Sequence, residues 1–214
     1  MDNFLEITRW VHAGFGVICI ISGLLALTAK KTIGRHPVAG RVFAVSLILV
    51  YLTILANILF DLNVFMLGIG WLAVYAAAIG WRALLRFKGR LVEQATLTDY
   101  ILGSTTALFS VSLFAFGILV FATSSNVMGL VCSGFGLLGV LLVHADWKRW
   151  RIPPKKEAWL ALHIDMMTGA FSAALTAFLV IQFSEALGGL EWIVWVAPVI
   201  VMSRYAAHAK SKHL

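Results

Sequence analysis

Residues 159–183 form an apolar stretch that contains two ionisable side chains, His163 and Asp165. The stretch is long and apolar enough to cross a bilayer as one helix. An ionisable side chain inside such a span is costly, and it usually has a function. At about 100° per residue, Asp165 shares a narrow polar stripe with Thr168, Ser172 and Thr176. We therefore predict that this helix lies inside a bundle and that its stripe is a ligand or proton site.

An ionised carboxylate inside a bilayer costs at least about 2.5–3.5 kcal/mol, so Asp165 should be protonated or paired. The cations at a similar depth are Arg41 and Arg82. A purely structural pair would make Asp165→Asn destabilising, whereas a proton or ligand site would tolerate it with loss of function. The length of the stripe favours the proton or ligand site.

A second polar stripe on the second predicted helix includes Thr53 and Asn57, which join the candidate ligand site. Hydroxyls in membrane helices often bond only the backbone or a neighbouring helix, and this alternative stays open. Two other residues have supporting roles. Asp99 either caps the fourth helix or pairs with Arg82, and His12 is expected to be solvated at the outer interface.

Four side chains suggest metal or haem chemistry: His36, His144, Asp146 and His163. Imidazole and carboxylate are natural ligands for zinc. Residues two apart on a helix point in different directions, so neither His144 with Asp146 nor His163 with Asp165 can chelate alone. A zinc site would need several segments. Haem b between His163 and either His144 or His36 is the other cofactor hypothesis. His12 lies some 20 Å from His163 across a core about 30 Å thick, so these two histidines cannot bind the same iron.

Composition identifies the class of protein that must position these residues. The chain has 214 residues, of which 61% are apolar and only 13% are charged, whereas soluble domains have about a quarter charged. We predict a single all-α integral membrane domain, residues 1–214, with seven transmembrane helices. Their approximate ranges are 10–29, 42–60, 64–85, 100–122, 127–145, 159–183 and 191–208.

The basic residues are distributed unevenly between the two sides of the predicted bundle. Of the 17 lysines and arginines, 16 flank connections on one side, and Arg9 alone lies on the other. The positive-inside rule then predicts an external N-terminus and a cytoplasmic C-terminus. Anionic lipid headgroups are sufficient partners for these loops, so the net charge of +7 does not require a nucleic acid.

A short internal similarity suggests a repeat. Ala13-Gly14-Phe15-Gly16 in the first helix resembles Ser133-Gly134-Phe135-Gly136 in the fifth. A parallel 3+1+3 repeat, with the fourth helix as linker, would fit the helix directions.

Several segments together resemble an uncharacterised bacterial family of multi-spanning membrane proteins, catalogued only as a domain of unknown function. The resemblance covers most of residues 10–183 and is carried by KKTIGRHPVAGRVF, by YAAAIGWRALL, by Asp146 and by HIDMMTGAFSAALTAFLV. It implies a bacterial inner (plasma) membrane location and emphasises His36 and His163. It implies no reaction.

Three hypotheses of function follow. The first is that the protein binds or transports a small molecule or ion in a polar pocket in the cytoplasmic half of the bundle. The second is a membrane redox protein or hydrolase with haem or a divalent metal near His163. The third is a structural or accessory subunit whose polar residues serve only helix packing. The first is favoured, because the polar stripes reach deep into the bilayer while the metal ligands lack a recognisable spacing. Whether the protein is an enzyme stays open.

Overall fold

A computed structural model describes residues 2–31, 34–58, 60, 62–190 and 192–213. These residues form seven α-helices and one short 3₁₀ turn, and no strand occurs among them. The helices are α1 (Asp2–Thr28), α2 (Arg35–Asn57), α3 (Val64–Phe87), α4 (Leu97–Ser124), α5 (Val127–Arg151), α6 (Lys156–Leu187) and α7 (Trp192–His213), with the 3₁₀ turn at Gly188–Leu190. The all-α prediction is confirmed.

Six of these helices, α1 to α6, are long and apolar enough to cross a membrane by length and composition. The prediction of a helical membrane protein is confirmed at that level. The first two helices begin earlier than predicted, at Asp2 and Arg35 instead of residues 10 and 42. Hydropathy detects only the apolar part of a helix, whereas the helical backbone continues into its polar flanks.

Helix α3 is the central element of the bundle, because it packs against α2, α4, α5 and α6. Small residues cover much of its buried surface, so that neighbouring helices can approach closely. They include Ala73, Ala76, Ala77, Gly80 and Ala83. Helix α6 packs mainly on α3 and α7 and has a smaller contact with α1. The interior position predicted for α6 is therefore provided mainly by its packing against α3.

Helices α4 and α5 form a tightly packed antiparallel hairpin. Ser125 takes a left-handed backbone conformation at the turn, with φ of 51°, and the Asn126 side chain caps α5 by accepting a hydrogen bond from the Met128 amide. Glycines at the interface let the two backbones approach. A Cβ atom added at Gly136 would lie 2.5 Å from the backbone nitrogen of Phe114.

Asp99 joins the end of α3 to the start of α4. Its buried carboxylate accepts hydrogen bonds from Arg82 at 2.6 Å, from Arg86 at 2.7 Å and from the Thr96 amide at 2.8 Å. Thr96 and Asp99 also form a capping box at the start of α4. Asp99 therefore fulfils both predicted roles at once.

The packing does not support the 3+1+3 repeat. Such a repeat would pair α5 with α6 in the way that α1 pairs with α2. In the described residues α5 instead packs chiefly on α4, whereas α1 packs chiefly on α2. Of the four glycines in the two Gly-Phe-Gly segments, only Gly136 lies at a close helix contact, since a Cβ atom added at Gly14, Gly16 or Gly134 would meet nothing within 4 Å.

Candidate ligand-binding site

Five helices enclose a cavity of about 510 Å³ at the end of the bundle where basic residues concentrate. The ends of α1, α3 and α7 meet there with the starts of α2 and α6. We call it the basic-end cavity. Four basic side chains contribute to its lining, and we call them the cation rim: Lys31, Arg41, Lys88 and Arg90. Three histidines also line it, His36, His163 and His213, and no aspartate or glutamate does so among the described residues.

Most of the remaining wall is apolar, with aromatic rings from three helices. Phe43 comes from α2, Trp81 and Phe87 from α3, and Phe171 from α6. The Phe43 and Phe171 ring centroids are 6.0 Å apart, and both rings press against the face of α1 at Gly23, where a Cβ atom would collide with Phe171. The cavity thus combines an apolar wall with a cationic rim.

His163 is held against α3 by a hydrogen bond to the backbone. Its Nδ1 atom lies 2.8 Å from the carbonyl oxygen of Gly80. The two helices approach closely there, since a Cβ atom added at Gly80 would lie 3.1 Å from Met166 and Met167 on α6. A carbonyl oxygen can only accept, so Nδ1 carries the proton and Nε2 of the neutral ring keeps its lone pair.

His36 makes the same kind of bond at the end of α1. Its Nδ1 atom lies 2.8 Å from the Ala26 carbonyl oxygen, which also accepts from Lys31 Nζ at 2.7 Å. The next carbonyl, that of Leu27, accepts from Lys31 at 2.8 Å and from the Tyr205 hydroxyl at 2.7 Å. These donors satisfy carbonyls that every helix leaves free in its last turn. They also tie α1 to α2 and α7.

Asp165 pairs with neither of the two arginines that were considered as partners in the structural alternative. Its carboxylate is exposed and pairs with Lys210 of α7 at 2.7 Å. Arg41 instead lines the cavity, and Arg82 binds Asp99. Helix α7 packs alongside α6, and the basic C-terminal turn of α7 supplies the cation. The depth of Asp165 along α6 does not indicate which neighbouring helix carries that cation.

The other stripe residues of α6 are buried. Thr168 lines the basic-end cavity and donates to the Ile164 carbonyl at 2.7 Å. Ser172 and Thr176 continue the stripe away from the cavity, and within the described part of the chain their hydroxyls have no hydrogen-bond partner. The stripe is therefore continuous along α6, but of its hydroxyl side chains only that of Thr168 lines the cavity.

The α2 stripe does not reach the cavity. Thr53 bonds His12 of α1 at 2.7 Å, and Asn57 bonds Thr8 of α1 at 2.6 Å. Thr53 lies ten residues beyond Phe43, or about 15 Å further along α2. These side chains join α1 to α2 in the half of the bundle away from the cavity. The expectation that His12 is solvated is wrong, since it is half-buried and bonded.

The four predicted metal ligands are divided between two places. His36 and His163 line the basic-end cavity. His144 is exposed, and Asp146 is buried beside α3, where it accepts a hydrogen bond from Tyr75 at 2.5 Å and pairs with Arg149. Among the residues that the structure describes, no group of three or more histidine, cysteine, aspartate or glutamate side chains could hold a metal ion.

The rim residues Lys31, Lys88 and Arg90, and the Tyr205 hydroxyl, were missed as site residues. A signal was present for Lys31, which lies five residues before His36, whereas Lys88 and Arg90 follow α3, which carries neither His36 nor His163. The positive-inside rule already explains these basic residues as determinants of orientation. Their position in the lining of a cavity was therefore not predicted. Tyr205 gave no such signal, since a single tyrosine near a helix end is typical of membrane interfaces.

Asp146 also has partners that sequence spacing did not indicate. Its bond to Tyr75 joins α5 to α3, and Arg149 one turn later compensates its charge.

Comparisons of the chain with protein-family models, with curated proteins and with solved structures found no match. The chemistry of the basic-end cavity therefore follows from its own residues.

Proposed function

We propose that the chain is an integral membrane protein that binds, or binds and transports, an amphipathic anionic small molecule in the basic-end cavity. The observation that carries this proposal is the composition of the cavity wall. The four cations and three histidines of that wall have no acidic counterpart in the described lining, and the rest of the wall is largely apolar.

The physical argument concerns uncompensated charge. Like charges gathered around a cleft with low-dielectric walls raise the local concentration of counter-ions. The two arginines near the end of α3 differ from the cation rim in this respect, because Arg82 and Arg86 both pair with the carboxylate of Asp99. An anionic headgroup at the cation rim would relieve the repulsion between its members. An aliphatic or aromatic tail would contact Phe43, Phe171 and their neighbours.

The volume supports a ligand of moderate size. Small-molecule sites commonly measure about 300–1,000 Å³ and are lined mainly by apolar side chains with a few polar groups. At about 510 Å³ the basic-end cavity falls within that range. A free inorganic ion would leave most of this space unfilled.

Our proposal includes seven spans, an external N-terminus and a cytoplasmic C-terminus. Helix α7 has 22 residues, which at 1.5 Å each makes about 33 Å. Its last turn carries Lys210 and Lys212 at the same end as the cation rim. The resemblance to a bacterial membrane family favours the inner membrane, and the positive-inside rule would then place the cavity mouth at the cytoplasmic leaflet.

Ligand binding can be tested with an environment-sensitive fluorescent fatty acid and its neutral amide, added to the purified protein in detergent. The acid should bind more tightly than the amide. Arg41→Gln and Lys88→Gln should each weaken binding of the acid about fivefold, as expected from about 1 kcal/mol for a partly exposed ion pair. Lys148→Gln is the matched control, because Lys148 is exposed and does not line the cavity.

Equal binding of acid and amide, unaffected by the rim variants, would refute the anion-binding proposal. Absence of binding by either probe would leave the structural or accessory role as the better account. Orientation is tested separately with a reporter that is active only outside the cytoplasm. Fused after Ser125 it should be active, and fused after Lys155 it should be silent. The reverse result would overturn the proposed sidedness.

A further inference from the structure

Two of the three histidines that line the cavity share a hydrogen-bonding arrangement. In both His36 and His163, Nδ1 lies 2.8 Å from a backbone carbonyl oxygen, at Ala26 and Gly80 respectively. Each neutral ring therefore keeps its Nε2 lone pair free, and the ring is fixed by the backbone bond. Metal-ligating histidines are generally held in this way, with the second ring nitrogen bonded to a carbonyl or a carboxylate. The same bond also joins helices, so it does not define a site without further evidence.

The depth of the two rings provides the second observation. Phe43 of α2 and Phe171 of α6 meet at the face of α1, with ring centroids 6.0 Å apart. His36 precedes Phe43 by seven residues, or about 10.5 Å, and His163 precedes Phe171 by eight residues, or about 12 Å. Both helices begin at the basic end. The two histidines therefore lie at nearly equal depth on helices of the same direction, and both line one cavity.

The surroundings distinguish between kinds of metal. A bare divalent cation would need three or more protein ligands, and the described residues provide no such group. It would also be repelled by the four members of the cation rim. A haem supplies four equatorial nitrogens of its own, so that two axial histidines complete its coordination. Its two propionates are anionic and would pair with the cation rim. Its macrocycle is planar and largely apolar, so it would pack against the aromatic side chains of the wall.

We propose that His36 and His163 are the axial ligands of a haem held in the basic-end cavity, with its propionates at the cation rim. This inference rests on the proposed function, because haem is one particular amphipathic anion. The imidazoles hold the iron through Nε2, and the carbonyls of Ala26 and Gly80 fix the two rings. Phe43, Trp81 and Phe171 are available to contact the macrocycle.

The test compares haemin with metal-free protoporphyrin IX, which has the same propionates and the same ring but no iron. Each is added to the full-length protein in detergent, and unbound porphyrin is removed by gel filtration. Haemin should bind at one per chain with a six-coordinate, low-spin absorption spectrum. His163→Ala and His36→Ala should each change the spectrum to five-coordinate, high-spin and weaken haemin binding at least about tenfold, as loss of even an outer-shell partner does.

Two controls keep the result specific. Metal-free porphyrin should bind the two alanine variants as tightly as it binds the wild type, and His144→Ala should leave the haemin spectrum unchanged, since His144 is exposed outside the cavity. Free imidazole should restore the low-spin spectrum of His163→Ala. If that variant does not fold, the His36→Ala spectrum decides the question.

The remaining outcomes separate this inference from the proposed function. If both porphyrins bind equally and neither histidine variant changes the haemin spectrum, axial ligation is refuted while anion binding stands. If the fluorescent fatty acid binds but haemin does not, the haem inference alone is overturned. If none of these anionic probes binds, both proposals are overturned.

Discussion

Asp99 and Asp165 provide a direct test of how burial determines the strength of an ion pair in this bundle. The Asp99 side chain is fully buried, and one of its two partners, Arg86, is only 2% exposed. Asp165 is 45% exposed, and its partner Lys210 is 34% exposed. Both carboxylates therefore have cationic partners, but Asp99 is buried within the bundle and Asp165 lies at its surface.

Replacing Asp99 with asparagine leaves Arg82 and Arg86 opposite a neutral amide. Removing one member of a buried ion pair costs about 3–5 kcal/mol, because the remaining charge stays desolvated. At about 2–4 °C per kcal/mol for a chain of this size, Asp99→Asn should lower the melting temperature by about 6–20 °C. Asp165→Asn breaks an exposed pair, and such pairs are worth about 0–1 kcal/mol, so its melting temperature should change by less than about 4 °C.

The assay is thermal loss of helical circular dichroism for the wild type and both variants, purified in the same detergent. A double variant, Asp99→Asn with Arg86→Met, should recover part of the lost stability because it removes a buried charge that has lost its partner. Melting temperatures for Asp99→Asn and Asp165→Asn that agree within 2 °C would refute the reasoning. A double variant less stable than Asp99→Asn alone would show that Arg86 is stabilised by its other contacts, such as the Trp159 ring 5.0 Å away.

The remaining predictions concern close packing and a buried hydrogen bond. Gly136→Ala should destabilise the α4–α5 hairpin by about 1–3 kcal/mol through overpacking, measured by thermal unfolding, because the new Cβ would meet the α4 backbone. Gly134→Ala should be neutral or slightly stabilising, since nothing lies within 4 Å of its Cβ; equal effects at the two glycines would contradict this packing. Tyr75→Phe should cost about 1–3 kcal/mol in the same assay, because Asp146 loses a buried donor. Tyr100→Phe, at an exposed position, should cost almost nothing, and a larger loss there than at Tyr75 would argue against the buried bond.

Sequence patterns were sufficient to predict the helices and their order. Apolar runs of membrane-spanning length are a strong one-dimensional signal, and every predicted range corresponds to a helix of the structure. The local roles of Asp99 were also accessible, because its cap and its two arginines lie within 17 residues of it. Such short separations leave few alternative partners.

Long-range partners were not predictable from periodicity. Helical spacing gives the face on which a residue lies but not the neighbour that this face meets. The arginines of α2 and α3 were therefore considered as possible partners of Asp165, whereas its partner Lys210 is 45 residues later on α7. For the same reason Thr53 and Asn57 were assigned to a ligand site, although they bond α1. The cavity itself depends on five helices, and no single stretch of sequence contains its pattern.

The distribution of the cavity lining along the chain has a consequence for biosynthesis. Helices α1 to α3 emerge before α6 and α7, and the segment that they span carries much of the rim, including Lys31, Arg41 and Lys88. His163 follows on α6, and Tyr205 follows later on α7. The cavity is complete only when α7 has docked, so occupancy of the site would report that the five lining helices have assembled. A ligand present during translation would then stabilise the docked position of α7, because it binds the assembled cavity and not the open one.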